Sequence, residues 1–152
     1  MKKARKLGIA LALAAASTFA SAQAGIVRGQ TARGESFLVG GVGADEVSAL
    51  QGAHSGYGLS VRTAARGSGA YLADVHLRIA DAQGDPVFDR NLSGPWLLIA
   101  LKPGRYTLQA SRGADTQTAT VTVAAGATHD QMFYFDVGGV PADPLRFPPA
   151  TR

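Results

Sequence analysis

The amino-acid sequence predicts a mainly β protein: an antiparallel seven-stranded β-sandwich with one short N-terminal helix. Three features predict it. Seven segments between 57 and 137 alternate apolar and polar residues, the two-residue period of a strand with one buried face. Turn residues separate them about every ten positions, a spacing that suits a sandwich and not strand–helix alternation. The clearest stretch, 96–123, reads strand, turn, strand, turn, strand. Within it Pro103 presets φ for the second position of a turn, and Gly104 supplies the positive φ that a type II turn needs next.

Taken in order, 25–33 is poor in apolar residues and reads as loose chain or an edge strand. Ser36, Phe37, Leu38 and Val39 form a brief first strand, broken at Gly40 and Gly41. Asp45 stands where an N-cap would, and Glu46 follows in the first turn, where a carboxylate suits the helix dipole. Val47, Leu50 and Ala53 or His54 share one face, so a short helix is expected over 45–53. The strands follow. In 57–63, Tyr57, Leu59 and Val61 point inward while Ser60 and Arg62 face out. In 70–80, Tyr71, Ala73, Val75, Leu77 and Ile79 form one face, with Asp74, His76 and Arg78 on the other. A weaker strand at 86–92 starts on Pro86, a position that proline tolerates. Then come 96–101, 105–111, 116–123 and 131–137, the last with Phe133, Phe135 and Val137 inward. Thr118, Thr120 and Thr122 cover an outer face, where β-branched residues fit the pleat. The expected organisation is a leader (1–22), an N-terminal segment with strand and helix (23–56), the sandwich (57–137) and a flexible Pro-rich tail (138–152).

The leader has a basic n-region of Lys2, Lys3, Arg5 and Lys6, an apolar run over 7–16, and small residues at Ala20-Ser21-Ala22 or Ala22-Gln23-Ala24 for cleavage. That is the pattern of a secretory signal peptide, and the apolar run is shorter than the roughly 20 residues a spanning helix needs. Export to the periplasm or outside the cell is the expectation. Cleavage removes four of the 15 Lys and Arg, leaving 11 against 11 Asp and Glu, so the net charge of +4 is no nucleic-acid footprint. No membrane span is expected after cleavage. The chain has no cysteine, so a disulfide framework is excluded and an apolar core must hold the domain.

The segments 71–75, 79–84, 93–98 and 101–108 resemble a carboxypeptidase regulatory-like domain, a small transthyretin-like (prealbumin-like) β-sandwich of the kind found alone in small secreted bacterial proteins. The most specific part is Pro103-Gly104-Arg105-Tyr106. The resemblance implies an accessory, non-catalytic module. The transthyretin-like fold also houses an isourate hydrolase, but its His/Arg pattern and C-terminal Tyr-Arg-Gly-Ser motif are absent here.

No catalytic constellation stands out. His54, His76 and His129 lack metal-ligand spacing, so no metal or cofactor is assigned. His54 reads as a helix-end residue and His129 as a turn residue. Gly67-Ser68-Gly69 lacks the strand and helix of a nucleophile elbow. Gly41 and Gly43 lack the third glycine of a dinucleotide loop. Asp81, Asp85 and Asp89 miss the EF-hand spacing and read as turn chemistry, with a calcium loop as the other reading. The one polar patch is Asp74, His76 and Arg78, read as a partner-binding surface or, more plainly, a solvated strand face. Trp96, Pro103, Gly104 and Tyr106 are assigned structural roles: Trp96 packs against the core, with an exposed aromatic platform for sugars as its other reading, and the Tyr106 hydroxyl reaches a backbone group as in a tyrosine corner.

The sequence therefore points to an exported, non-enzymatic sandwich that binds a protein or cell-envelope polymer. The alternative is a small hydrolase or carbohydrate-binding protein using the face of Asp74, His76 and Arg78. The inward set rests on large residues such as Phe135. Phe135→Ala is expected to cost about 3–5 kcal/mol in denaturant unfolding, and a loss below about 1 kcal/mol would remove Phe135 from the core.

Overall fold

The computed structural model describes residues 25–137; the predicted leader (1–22) and tail (138–152) lie outside the described residues. The chain runs β1 (Val27–Gln30), β2 (Ser36–Gly40), α1 (Ala44–Ala53), a single 3-10 turn (His54–Gly56), β3 (Leu59–Ala65), β4 (Val75–Ala80), β5 (Pro86–Leu92), β6 (Trp96–Ile99), β7 (Gly104–Arg112), β8 (Asp115–Val123) and β9 (His129–Phe135). It is mainly β and sandwich-like. A five-stranded sheet, in the order β1-β2-β6-β3-β9, faces a four-stranded sheet, β5-β4-β7-β8. Leu59, Val61, Leu97, Leu77, Leu108 and Phe135 meet between them, all with essentially no exposure.

A third layer covers the other side of the five-stranded sheet. Leu50 of α1 packs with Leu38, Trp96 and Leu98 in a second apolar cluster, flanked by Ile26, Val47, Ala53 and Tyr57. This explains the unbroken run Trp96-Leu97-Leu98-Ile99: β6 is buried on both faces, so alternation gives way to continuous apolar sequence. Leu97 and Ile99 belong to the inter-sheet core, Trp96 and Leu98 to the helix side.

Several expectations need correction. The described chain has nine strands, not seven, because β1 and β2 extend the five-stranded sheet. The pairing is not wholly antiparallel, since β9 runs parallel to β3 from Leu59↔His129 to Ala65↔Phe135. His129 thus begins a strand and is no turn residue. Ser60 does not face water; it is fully buried beneath the helix-side cluster, where Trp96 Nε1 donates to its Oγ at 2.9 Å. The helix N-cap is Gly43, not Asp45. Glu46 reaches back instead, and its Oε2 accepts the N–H groups of Gly41 at 2.9 Å and Val42 at 3.2 Å, two loop donors that precede the cap, so it fixes the chain entering the helix. Gly104 is not the third residue of a type II turn. It has φ +156° and already pairs with Val123 as the first residue of β7.

The predicted strand 70–80 is really a corner. Ala70 and Leu72 bond to β3, through Ala65 N–H to the Ala70 carbonyl at 2.7 Å and Leu72 N–H to the Thr63 carbonyl at 3.0 Å. From Val75 the chain pairs with β5 and β7 in the other sheet. Asp74 sits between, at φ +59°, the one non-glycine among the described residues with positive φ. The left-handed conformation turns the chain from one sheet to the other, and aspartate tolerates it better than most residues. Tyr71 is consequently half-exposed and does not join the inward set.

Asp74→Gly should leave stability unchanged or raise it, because glycine enters the left-handed region without a steric cost. Asp74→Val should lose about 1–3 kcal/mol, measured by denaturant unfolding. Equal stability of the two variants would show that this corner carries no backbone strain.

Candidate functional site

The predicted patch lies on the outer face of β4, and its three members are not brought together. The register sets His76 opposite Asn91 and Arg78 opposite Asp89 on β5. His76 Nδ1 lies 2.8 Å from Asn91 Oδ1, and its Nε2 lies 2.6 Å from Asp89 Oδ1. Arg78 Nε is 3.9 Å from the other Asp89 oxygen. Asp74 belongs to the corner, where its N–H donates to the Leu92 carbonyl at 3.0 Å. The side chains of His76, Arg78 and Asp89 are each about half exposed. The arrangement is a cross-strand ladder in water, in which each pair contributes a fraction of a kcal/mol, about 0.2–1.

The predicted structural residues lie apart: Trp96 opens β6 in the helix-side cluster, while Pro103, Gly104 and Tyr106 stand where the chain enters β7. Tyr106 is buried, and its hydroxyl donates to the Lys102 carbonyl at 2.7 Å. Burial, with the nearby Glu35 carboxylate, pushes the phenol pKa upward. Arg33 ties the β1–β2 loop to the β4–β5 turn through Asp81 at 2.9 Å and Asp85 at 3.8 Å. Asp81 also accepts the N–H groups of Gln83 and Asp85, and the Arg33 hydrogen bond holds its carboxyl below the usual range. The carboxylates considered for calcium therefore already have partners: Asp81 and Asp85 with Arg33, Asp89 with His76 and Arg78. Among the described residues no group of three or more His, Cys, Asp and Glu could hold a metal ion, and no helix is long and apolar enough to cross a membrane.

Two features were not read from the sequence. The first is a cleft of about 320 Å³ on the helix side of the five-stranded sheet, lined by Gln51, His54, Arg62, Trp96 and Asp130. The turn that follows α1 projects His54 toward β9, and the parallel register brings Asp130 beside Ser60. His54 Nε2 lies 2.9 Å from Asp130 Oδ1, and Arg62 reaches the same oxygen at 3.5 Å. The Arg62 guanidinium lies over the Trp96 ring, 5.1 Å from its centroid. Partial burial alone would raise the Asp130 pKa. Hydrogen bonds from His54 and Ser60, with the charges of His54 and Arg62, outweigh it and hold the carboxyl below the usual range. His54 and Asp130 are 76 residues apart, so no local signal linked them.

The second is the free edge of β8. Among the described residues no strand pairs with its outer side. The two-residue Gly113-Ala114 turn, with Gly113 at φ +58°, makes Arg112 and Asp115 the first pair of the β7–β8 hairpin. Alternation then points the backbone of Gln117, Ala119 and Val121 at β7, and that of Thr116, Thr118, Thr120 and Thr122 outward. The other edges are blunted. β1 has four residues. β5 begins on Pro86, carries Asp89 and Arg90, and shifts register against β4. On β9 the Tyr134 carbonyl accepts from Arg66 Nη2 at 3.1 Å and from Gln117 Nε2. Such devices are how sheets avoid pairing at their edges, and β8 has none of them after Asp115.

Against these geometries, comparison with protein-family models, curated proteins and solved structures finds no match for the chain.

The depressed Asp130 pKa predicts a pH signature. A carboxyl lowered in the folded state stabilises above its unfolded value near 3.9 and loses that stabilisation as pH falls through the folded value. Asp130→Asn should cost about 1 kcal/mol at pH 7, with the gap to wild type closing below about pH 4. A gap that stays constant to pH 2 in denaturant titrations would show that the charge on Asp130 does not matter.

Proposed function

We propose that the protein is an exported, non-catalytic β-sandwich module that binds an extended segment of a partner protein by adding it to the free edge of β8. The observation that carries this reading is the contrast among edges. Three are short, charged, proline-bearing or plugged by side chains, while β8 offers eight consecutive uncharged residues after Asp115. Main-chain hydrogen bonds from such an edge supply affinity, and pockets for alternate side chains supply selectivity. The four outward threonines present hydroxyls and methyls to the added strand's neighbours, pairs that stabilise a pleated surface.

Export rests on the leader pattern of Lys2, Lys3, Arg5 and Lys6, the apolar run and the small-residue exit. A relation to carboxypeptidase regulatory-like, transthyretin-like domains rests on the 101–108 segment and draws support from the buried Tyr106 and its bond to Lys102. A hydrolase at Asp74, His76 and Arg78 draws no support from the geometry, because His76 is engaged by two β5 side chains on a solvated face. A cell-envelope polymer remains the other partner class, and it would not depend on β8 backbone groups.

Thr118→Pro tests the edge directly, since it removes an outward N–H while leaving the β7–β8 ladder bonded. Wild-type protein is expected to retain a specific protein from envelope extracts, with the Thr118 and Thr120 amides gaining protection from hydrogen exchange. The folded Thr118→Pro variant should retain about tenfold less or lower. Undiminished protein capture by that variant, or protein capture with no change in β8 exchange, would overturn the reading.

A further inference from the structure

We propose that the cleft beside α1 is a second binding site, for a neutral, hydroxyl-rich ligand: a sugar residue of a glycan. It lies on the five-stranded sheet and is independent of the β8 edge in the other sheet.

The argument begins with charge. Arg62 and Asp130 place one fixed positive and one fixed negative group in the same small cleft, 3.5 Å apart. An anionic ligand reaching for Arg62 would meet the Asp130 carboxylate, and a cation reaching for Asp130 would meet the guanidinium. At these separations either repulsion costs about as much as the matching attraction gains. A neutral ligand suffers neither.

Hydrogen-bonding capacity narrows the class. A guanidinium only donates, an ionised carboxylate only accepts, and the Gln51 amide does both, while the His54 ring has a second nitrogen besides the one at Asp130. A pair of adjacent hydroxyls matches such a set, because each hydroxyl donates one bond and accepts others. One can donate to Asp130 while its neighbour accepts from Arg62, and both bonds are charge-assisted. A purely apolar ligand would offer nothing to the hydrogen-bonding positions that these groups still turn to water, at a cost of about 1–3 kcal/mol for each position left unmet.

The groups are also held in place before any ligand arrives. Asp130 is gripped by His54 at 2.9 Å and by Ser60, whose oxygen in turn accepts the Trp96 indole N–H at 2.9 Å. The Arg62 guanidinium lies over the Trp96 ring, 5.1 Å from its centroid, so a cation–π contact limits its freedom. Preorganisation of this kind lowers the ordering cost of binding. A volume of about 320 Å³ falls at the small end of ligand sites, which run from about 300 to 1,000 Å³, and suits one or two sugar rings, not a large cofactor.

The protein has one tryptophan, so Trp96 reports on the cleft without ambiguity. The test titrates the full chain with glucose, N-acetylglucosamine and maltose, and in parallel with glucuronate and glucosamine as charged counterparts. The Trp96 indole N–H resonance and fluorescence are the readouts. Sedimentation with an insoluble glycan polymer separates an internal sugar of a chain from a free solute. At least one neutral sugar, free or polymeric, should shift the indole signal with a dissociation constant of about 10 mM or tighter. The charged counterparts should bind about tenfold more weakly. Gln51 is exposed on α1, so Gln51→Ala keeps the fold and should weaken binding about tenfold; Arg62→Lys, which keeps the charge but loses the planar fork, should do the same. Silence of Trp96 with every neutral sugar and with the polymer would overturn the proposal. So would glucuronate or glucosamine binding as tightly as the neutral sugars, or affinity unchanged in Gln51→Ala.

Discussion

The structure depends on burying β6 and β3 on both faces. Trp96, Leu97, Leu98 and Ile99 are all buried, and of the seven residues of β3 six are buried too. One side of this pair faces the four-stranded sheet and the other faces α1. The two central strands therefore remove apolar surface from water twice, at roughly 25 cal/mol per Å² on each side. In a chain with no cysteine, this double burial takes the place of cross-links.

The same constraint shapes the polar chemistry. Covering both faces of β3 forces Ser60 on the helix side and Thr63 on the inter-sheet side to find partners without water. Ser60 accepts from Trp96 and supports Asp130, while the Thr63 hydroxyl donates to the Leu72 carbonyl at 2.6 Å. Thr63 thereby holds the crossover chain that precedes Asp74. Arg62, between them, cannot bury its charge and lies across Trp96 toward the rim. The cleft is thus the boundary where the helix layer ends and the sheet's outer face begins to meet water. By contrast, among the described residues nothing covers the outer face of the four-stranded sheet, and its ladder of His76, Asn91, Arg78 and Asp89 is solvated.

Much of the fold was legible. The inward sets of β4, β7 and β8, Leu77 and Ile79, Tyr106 and Leu108, Val121 and Val123, are all buried as the alternation implied. Tyr106 bonds a nearby carbonyl through its hydroxyl, a reach set by a short stretch of chain. The patch at His76 and Arg78 was legible as a shared strand face, though its true partners on β5 were not. Of the cleft, only Trp96 was singled out, and the grouping of Gln51, His54, Arg62 and Asp130 around it was not legible. Arg62 alternated with apolar neighbours like any solvated residue, and nothing near His54 or in the 129–135 segment marked Asp130 as its partner.

By itself the sequence determined the strand-forming segments, their buried faces and the turn positions, because pleat and turn preferences act within a few residues. Only the tertiary structure decided which strands adjoin. The parallel docking of β9 on β3, the left-handed corner at Asp74, the burial of Ser60 under α1 and the place of β8 at the edge of the described strands all follow from it. Each is settled by the packing of layers distant in the chain, where the free energy of removing surface from water outweighs any preference a short stretch of residues can express.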